Sequence, residues 1–491
     1  MNRTTRRGVD QTLRGSGAEL SRPRPRARRV ACLAALALVQ PACGSSRAEP
    51  DQKIGVIVPA ASIQLGGAGF QAPHAISASP QTLVVSGAFD GSFNYAGQSL
   101  GAVGGLDGFV VAMSPAGELR FLRQVGGDGD DDIRDVQVEP SGNILVAGHV
   151  TTSAILGDAA LDARSEWTAL VAELSSDGST RWALTASGAG VQDANAVAIG
   201  PDGSIYCAGD FTQTLSFGDT VLTADGRSDA YLAKFSSAGE PLWLRAIGGA
   251  GTQSVHELHV GSDGAILVSG GFQESLAVGG ARGVPSPMID QTPFVASFLD
   301  TGELAWLNSE LVFINHDHAA YLASHDQHSQ HVSLGRVSVS EAAAGSLRVA
   351  VAYEELSGLN GEVVAHPAVS TLSVLELATD GARLSFTTLE SSESLLQLGG
   401  LSTLSDRTML GASWTGSLDT GSPQHADGPR SLLVAGLAAD GQLSVPRQFS
   451  VEGISLTATD VAAQGDTFWT TARWSDVASG DVDALVLSFQ P

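Results

Sequence analysis

Residues 229–271 read DAYLAKFSSAGEPLWLRAIGGAGTQSVHELHVGSDGAILVSGG. An apolar strand-like run leads into a Ser-Ser-Ala-Gly turn. A second run carries Trp243 four residues beyond that glycine, and a Gly-Gly pair, a third run, a Ser-Asp-Gly turn and a fourth run follow. Turns ending in glycine between alternating apolar segments are hairpin signals. The same order recurs outward from this stretch, from Asp107, from Trp167 and from Thr292, with Phe121, Trp182 and Trp306 at the aromatic position. The first-turn glycines, Gly117, Gly178, Gly239, Gly302, Gly381 and Gly441, lie 61, 61, 63, 79 and 60 residues apart. A second turn follows each in phase, at Gly142, Gly203, Gly264, Gly345 (displaced by an insertion), Asp406 and Asp466. After it come the apolar runs NILVAGHV, SIYCAGDF, AILVSGGF, SLRVAVAY, RTMLGASW and TFWTTARW. Two turns held in one phase over six copies define a repeat.

A unit of this length holds four short strands. A lone four-stranded sheet cannot bury both faces, so neighbours must stack, and radial stacking also protects strand edges. The expected fold is all-β: a seven-bladed β-propeller of four-stranded blades, with N- and C-terminal strands sharing one blade. The last residues, from Asp483, repeat only part of a unit, and Gly55-VIVPAASIQLGG with Gln81-TLVVSGAF is expected to supply the remainder. The recurrent Trp and Phe side chains read as packing between blades rather than as a sugar-binding platform.

The pattern from Asp229 to Gly271, with the equivalent residues from Asp107 to Trp306, resembles the SBBP-type bacterial β-propeller repeat. Beyond Asn308 the aromatic and Gly-Gly positions are lost. The resemblance implies a secreted or surface propeller and brings no catalytic residues.

Glycine numbers 58 in 491 residues, and only 16% of residues are charged, which suits short strands and tight turns. The formal charge is −25. Residues 1–29 hold nine arginines against Asp10 and Glu19, a net +7, so the remainder carries −32. A surface of that sign repels phosphate backbones, and nucleic acid is excluded as a partner. Residues 22–29, RPRPRARR, precede the apolar run from Val30 to Val39 and then Ala42-Cys43-Gly44. A basic region, a short apolar core and a small residue describe an export signal; ten apolar residues are too few to span a bilayer. The expected organisation is therefore a signal peptide over 1–42, a tether over 43–53 and the propeller over 54–491. Cys43 resembles the lipidated cysteine of the bacterial lipobox, although Gln40 and Pro41 depart from that pattern. The resemblance implies an outer-membrane lipoprotein or cell-surface protein, otherwise a secreted one, touching membrane only through a lipid anchor. Cys207 stands in a strand at a position filled elsewhere by Val146 and Val268, and reads as a small buried hydrophobe.

Two clusters offer metal-ligand chemistry. The insertion over residues 308–331 contains His316, His318, His325, His328 and His331, five of the 11 histidines, with Asp317 and Asp326 beside them. Imidazoles at that density suit a divalent transition metal, and a polar surface loop is the alternative. Asp128, Asp130, Asp131, Asp132 and Asp135 lie in a Gly-rich turn whose carboxylates suit Ca²⁺, although the spacing fails the EF-hand template. No Gly-x-Ser-x-Gly, His-Glu-x-x-His, phosphate-binding loop or dinucleotide fingerprint occurs. The reading is a monomeric, non-enzymatic binding or scaffold propeller for a protein, peptide or glycan ligand. A metal-binding surface protein using the histidine insertion is the alternative, and a hydrolase-type propeller is third.

Overall fold

The computed structural model describes residues 55–56, 59–285, 291–311, 330–342, 345–359, 362–363, 370–392, 396–404, 407–415, 417–419, 423–425, 430–437, 447–450, 454–476 and 482–490. They form a seven-bladed β-propeller. Each blade is an antiparallel four-stranded meander, typified by the third: Gln192–Ile199, Ile205–Phe211, Asp229–Phe235 and Pro241–Ile247. The first strands of the seven blades are Gln71–Ala78, Asp132–Val138, Gln192–Ile199, Gln253–Val260, Gln330–Glu341, Leu396–Leu404 and Ile454–Gln464. Each touches the next, and the last returns to the first, so they surround the ring axis.

The middle strands of a blade are covered on both faces, so they read as continuous apolar runs rather than alternating ones. Every residue of Asp107–Met113, Ile144–Val150 and Asp229–Phe235 is buried. Alternation survives in the direction each side chain takes. Ile205, Cys207, Tyr231 and Ala233 pack toward Leu145 and Ala147 of blade two, while Tyr206, Ala208, Ala230 and Leu232 pack toward Val268 and Phe294 of blade four.

The repeated sequence residues weld blade to blade. Phe121, Trp182, Trp243 and Trp306 lie against the turn glycines Gly178, Gly239, Gly302 and Gly381 of the following blade. Trp243 Nε1 donates to Asp300 O at 3.0 Å and Trp306 Nε1 to Thr379 O at 2.7 Å. The sequence repeat also straddles two blades: Asp229–Phe235 and Pro241–Ile247 end the third, whereas Gln253–Val260 and Ile266–Phe272 begin the fourth. Loop hairpins add a second latch. Ile155–Leu156 of blade two pairs with the outer strand Leu119–Gly126 of blade one, and Ser417–Asp419 of blade six pairs with Arg383–Ser392 of blade five.

Closure follows the expected scheme with a smaller N-terminal share. Ala61–Leu65 adds antiparallel to Val482–Phe489 as the fourth strand of blade seven, pairing Ala61 with Ser488 and Leu65 with Ala484. Gly55–Val56 instead pairs in parallel with Arg447 and Gln448 at the edge of blade six, and Leu83–Phe89 is the second strand of blade one. The half-blade offset of the repeat leaves one strand, not several, to be supplied from the N-terminal side. The expected leader, tether and Cys43 lie outside the described residues.

Candidate functional site

Every inner strand carries a β-bulge against its second strand. The bulged residues are His74, Arg134, Asn195, His256, Arg336 (with Gly335), Gly399 and Thr459. A bulge re-aims one side chain out of the ladder. Six of these positions line the axial channel: His74, Arg134, Asn195, His256, Arg336 and Thr459. All six line a wide half of about 590 Å³, and Arg134, Asn195, His256 and Arg336 also line a narrow half of about 210 Å³.

The narrow half is stapled shut by side chains. The free edges of the inner strands present N–H groups with no ladder partner, and polar groups of the adjacent blade accept them. Asp135 Oδ2 accepts from Val197 N at 2.8 Å, Gln137 Oε1 from Ile199 N at 2.8 Å, and Ser338 Oγ from Leu401 N at 3.0 Å. Asp460 Oδ2 accepts from Ile76 N at 2.9 Å, which joins blade seven to blade one. Burial pushes the Asp135 and Glu257 carboxyls up to about 7 and raises Asp460 as well.

The wide half keeps two different walls. On one, Arg134 contacts Asp132 at 3.2 Å and Asp193 at 3.3 Å, His74 meets Asp132 at 2.9 Å, and His149 meets Asp193 at 3.1 Å. Burial alone would raise the Asp132 carboxyl, but the His74 and Arg134 charges outweigh it and hold it below its ordinary value. Asp210 accepts from Val255 N at 2.7 Å and from Asn195 Nδ2 at 2.8 Å, and burial lifts it to about 7. On the other wall, Arg336 Nη1 donates to Thr459 O at 2.5 Å and Nη2 lies 3.8 Å from Asp460 Oδ1. Arg473, Gln397 and Thr457 complete that wall.

Ser254 and His256 meet in the same cavity, with Oγ to Nε2 at 3.5 Å. His256 Nδ1 accepts the Val337 N–H at 3.1 Å. A neutral imidazole that accepts at Nδ1 carries its proton on Nε2, so it offers Ser254 a hydrogen and not the lone pair a general base needs. Burial also drives the His256 pKa down to about 4, which keeps the ring neutral.

The expected site residues are distributed as follows. His316, His318, His325 and His328 lie outside the described residues. His331 falls in the strand Gln330–Glu341 with its backbone opposite Leu356. The acidic run from Asp128 to Asp135 is taken apart by the fold. Asp130 accepts from Leu106 N, Asp131 clamps Gly127 N and Thr151 N, Asp132 pairs with His74 and Arg134, and Asp135 staples Val197. Among the described residues, no three His, Cys, Asp or Glu side chains converge as a metal site. Cys207 is fully buried as expected, its thiol pushed up to about 12 by burial. The channel ring was missed in the sequence. Its signal was present: 74, 134, 195, 256, 336, 399 and 459 keep the phase of the repeat while the residue type changes at every blade.

These observations define the class, a seven-bladed β-propeller with a polar axial channel. No known protein family matches the sequence, and no curated protein does. Among solved structures, the chain is similar to a puromycin hydrolase at 11% identity and a TM-score of 0.42, over 84% of this chain and 52% of that one. It thus spans about half the length of that enzyme. It is also similar to a member of the DUF4221 family from Bacteroides vulgatus, at 10% identity and a TM-score of 0.31, over 78% of this chain and 98% of that one. A GH43 protein from Bacillus licheniformis matches at 10% identity and a TM-score of 0.28, over 88% and 96%. None of these lends a residue role or an activity to this chain.

Proposed function

We propose that the protein is a non-catalytic binding propeller that takes its ligand in the wide half of the axial channel. The observation that carries this reading is the bulge ring: one in-phase position per blade, released from the ladder, six of the seven lining a polar cavity. A volume of about 590 Å³ lies within the range of small-ligand sites. The His256 tautomer supports binding over hydrolysis, because the serine in the cavity has no base beside it. The SBBP-type repeat pattern and the lipobox-like Cys43 fit an exported, anchored protein that offers this channel to the outside.

The test uses a ligand screen by thermal shift, repeated on Gln397→Trp. Gln397 is exposed at the cavity wall, so the indole fills the opening without entering the core. Compounds that stabilise the parent protein are expected to lose their effect in this variant. Ligands that bind both proteins equally would place recognition elsewhere. Ester, amide or glycoside turnover abolished by Ser254→Ala would overturn the non-catalytic reading.

A further inference from the structure

We propose that the ligand of this channel carries a carboxylate, held by Arg336 and Arg473 on the wall built by blades five to seven. The inference rests on the channel-binding reading above and names the ligand's chemistry.

Arg473 lies on the second strand of blade seven, in register with Thr457 and Ala484, and lines the wide cavity. It is half-buried, and among the described residues it makes no hydrogen bond and no ion pair. A guanidinium presents five donors in a fixed fork. None of the Arg473 nitrogens is buried from solvent without a partner, so water in the cavity meets these donors and a ligand can take its place. Arg336 faces the same cavity with one donor on Thr459 O and a long contact to Asp460. Arg430 stands behind them, with Nη1 at 2.9 Å from Thr457 Oγ1 and 3.3 Å from Gln397 Oε1, both wall residues.

Cations are scarce in this chain, 27 Lys and Arg against 52 Asp and Glu, with nine of the 27 within the first 29 residues. Two arginines nevertheless line one wall of one cavity, with a third behind it. On the opposite wall Arg134 is already taken by Asp132 and Asp193, so that side has no spare positive charge. Planar forks match a carboxylate edge to edge. The nearby Asp193 on the facing wall raises the cost of a doubly charged anion, which favours a monocarboxylate over phosphate.

The experiment is calorimetric titration of the purified protein with N-acetylglycinate, propionate and inorganic phosphate at matched ionic strength. Saturable binding of a carboxylate probe is expected. Arg473→Gln should weaken it by roughly tenfold or more, and Arg473→Lys should weaken it less, keeping the charge but losing the fork. Arg473→Gln should melt at or above the parent temperature, because it removes no internal bond; this separates lost recognition from lost folding. Arg120→Gln, a surface change away from the channel, should bind like the parent. Failure of both carboxylates to bind saturably would overturn the inference. So would unchanged affinity in Arg473→Gln, or phosphate binding more tightly than either carboxylate. If neutral compounds bind, are blocked by Gln397→Trp and ignore Arg473→Gln, the carboxylate inference fails while the channel-binding reading stands.

Discussion

At the scale of single residues, the channel carries its charge in two ways. Arg134 and Asp132 balance one another's charge across 3.2 Å, whereas Asp135 and Glu257 are kept as buried acceptors whose carboxyls burial lifts to about 7. A raised folded-state value means the folded protein holds protons that the unfolded chain has released. For Asp135 the resulting stability is fully present below its unfolded value of 3.8 and is lost as the pH rises toward about 7. His256 has the opposite sign. Its folded value is lowered from 6.5 to about 4, so its contribution grows as the pH rises through that interval. Whole-protein profiles mix the two, and the difference between parent and Asp135→Asn isolates one. The stability of Asp135→Asn relative to the parent is expected to climb from about pH 4 to about pH 7 and level off above, as read from urea midpoints. A difference that is flat across the window would show that Asp135 ionises there as an ordinary surface acid.

At the scale of strands and turns, one packing problem is solved repeatedly, and that repetition is what the sequence reveals. Gly239 has φ +81°, and a Cβ there would lie 2.6 Å from Trp182 Cδ2 of the preceding blade. Gly203 has the same φ of +81° with nothing within 4 Å of a Cβ. The two separate backbone strain from blade packing. Gly203→Ala should cost about 1–2 kcal/mol through the left-handed conformation alone. Gly239→Ala should cost about 1–3 kcal/mol more, through overpacking against the indole. Adding Trp182→Ala to Gly239→Ala should relieve that extra part, a coupling that denaturation of the four proteins measures. The Asp and Gly-Gly positions of the repeat have a similar origin. Asp229 begins the third strand of its blade, so close to Gly248 at the end of the fourth that a Cβ there would sit 2.3 Å from its Oδ2, and Asp107 crowds Gly126 in the same way. Positions such as these recur because every blade meets the same neighbour, so the fold could be read from them. The binding ring could not. His74, Arg134, Asn195, His256, Arg336, Gly399 and Thr459 occupy one structural position, but the residue type differs from blade to blade and six of them meet the cavity, and a search for what repeats passes over what varies. The histidine cluster drew notice by composition alone, which says nothing of where a fold will put it.

At the scale of the whole ring, closure is held at two radii. Near the axis, Asp460 accepts the Ile76 N–H. At the rim, Ala61–Leu65 completes blade seven, and the blade-one hairpin reaches it through the Gly66–Asn94 bridge. The rim strand is exposed except at Leu65, which is fully buried, and Ile63, which is half-buried. Its contribution comes from one apolar side chain and a short ladder, and its removal should cost roughly 3–5 kcal/mol. The larger consequence concerns the edge it covers. Val482–Phe489, still paired with Thr467–Asp476 on its inner side, becomes an open edge strand, a template for another chain. Deletion of residues 59–66 is therefore expected to leave a propeller that still folds, held by the inner contacts. It should melt earlier and self-associate in a concentration-dependent way in light scattering, whereas the parent stays monomeric. If the deleted protein remains monomeric and melts with the parent, the rim strand is dispensable and the axial staples alone close the ring. If it fails to fold, the inner contacts do not hold the ring without the rim strand.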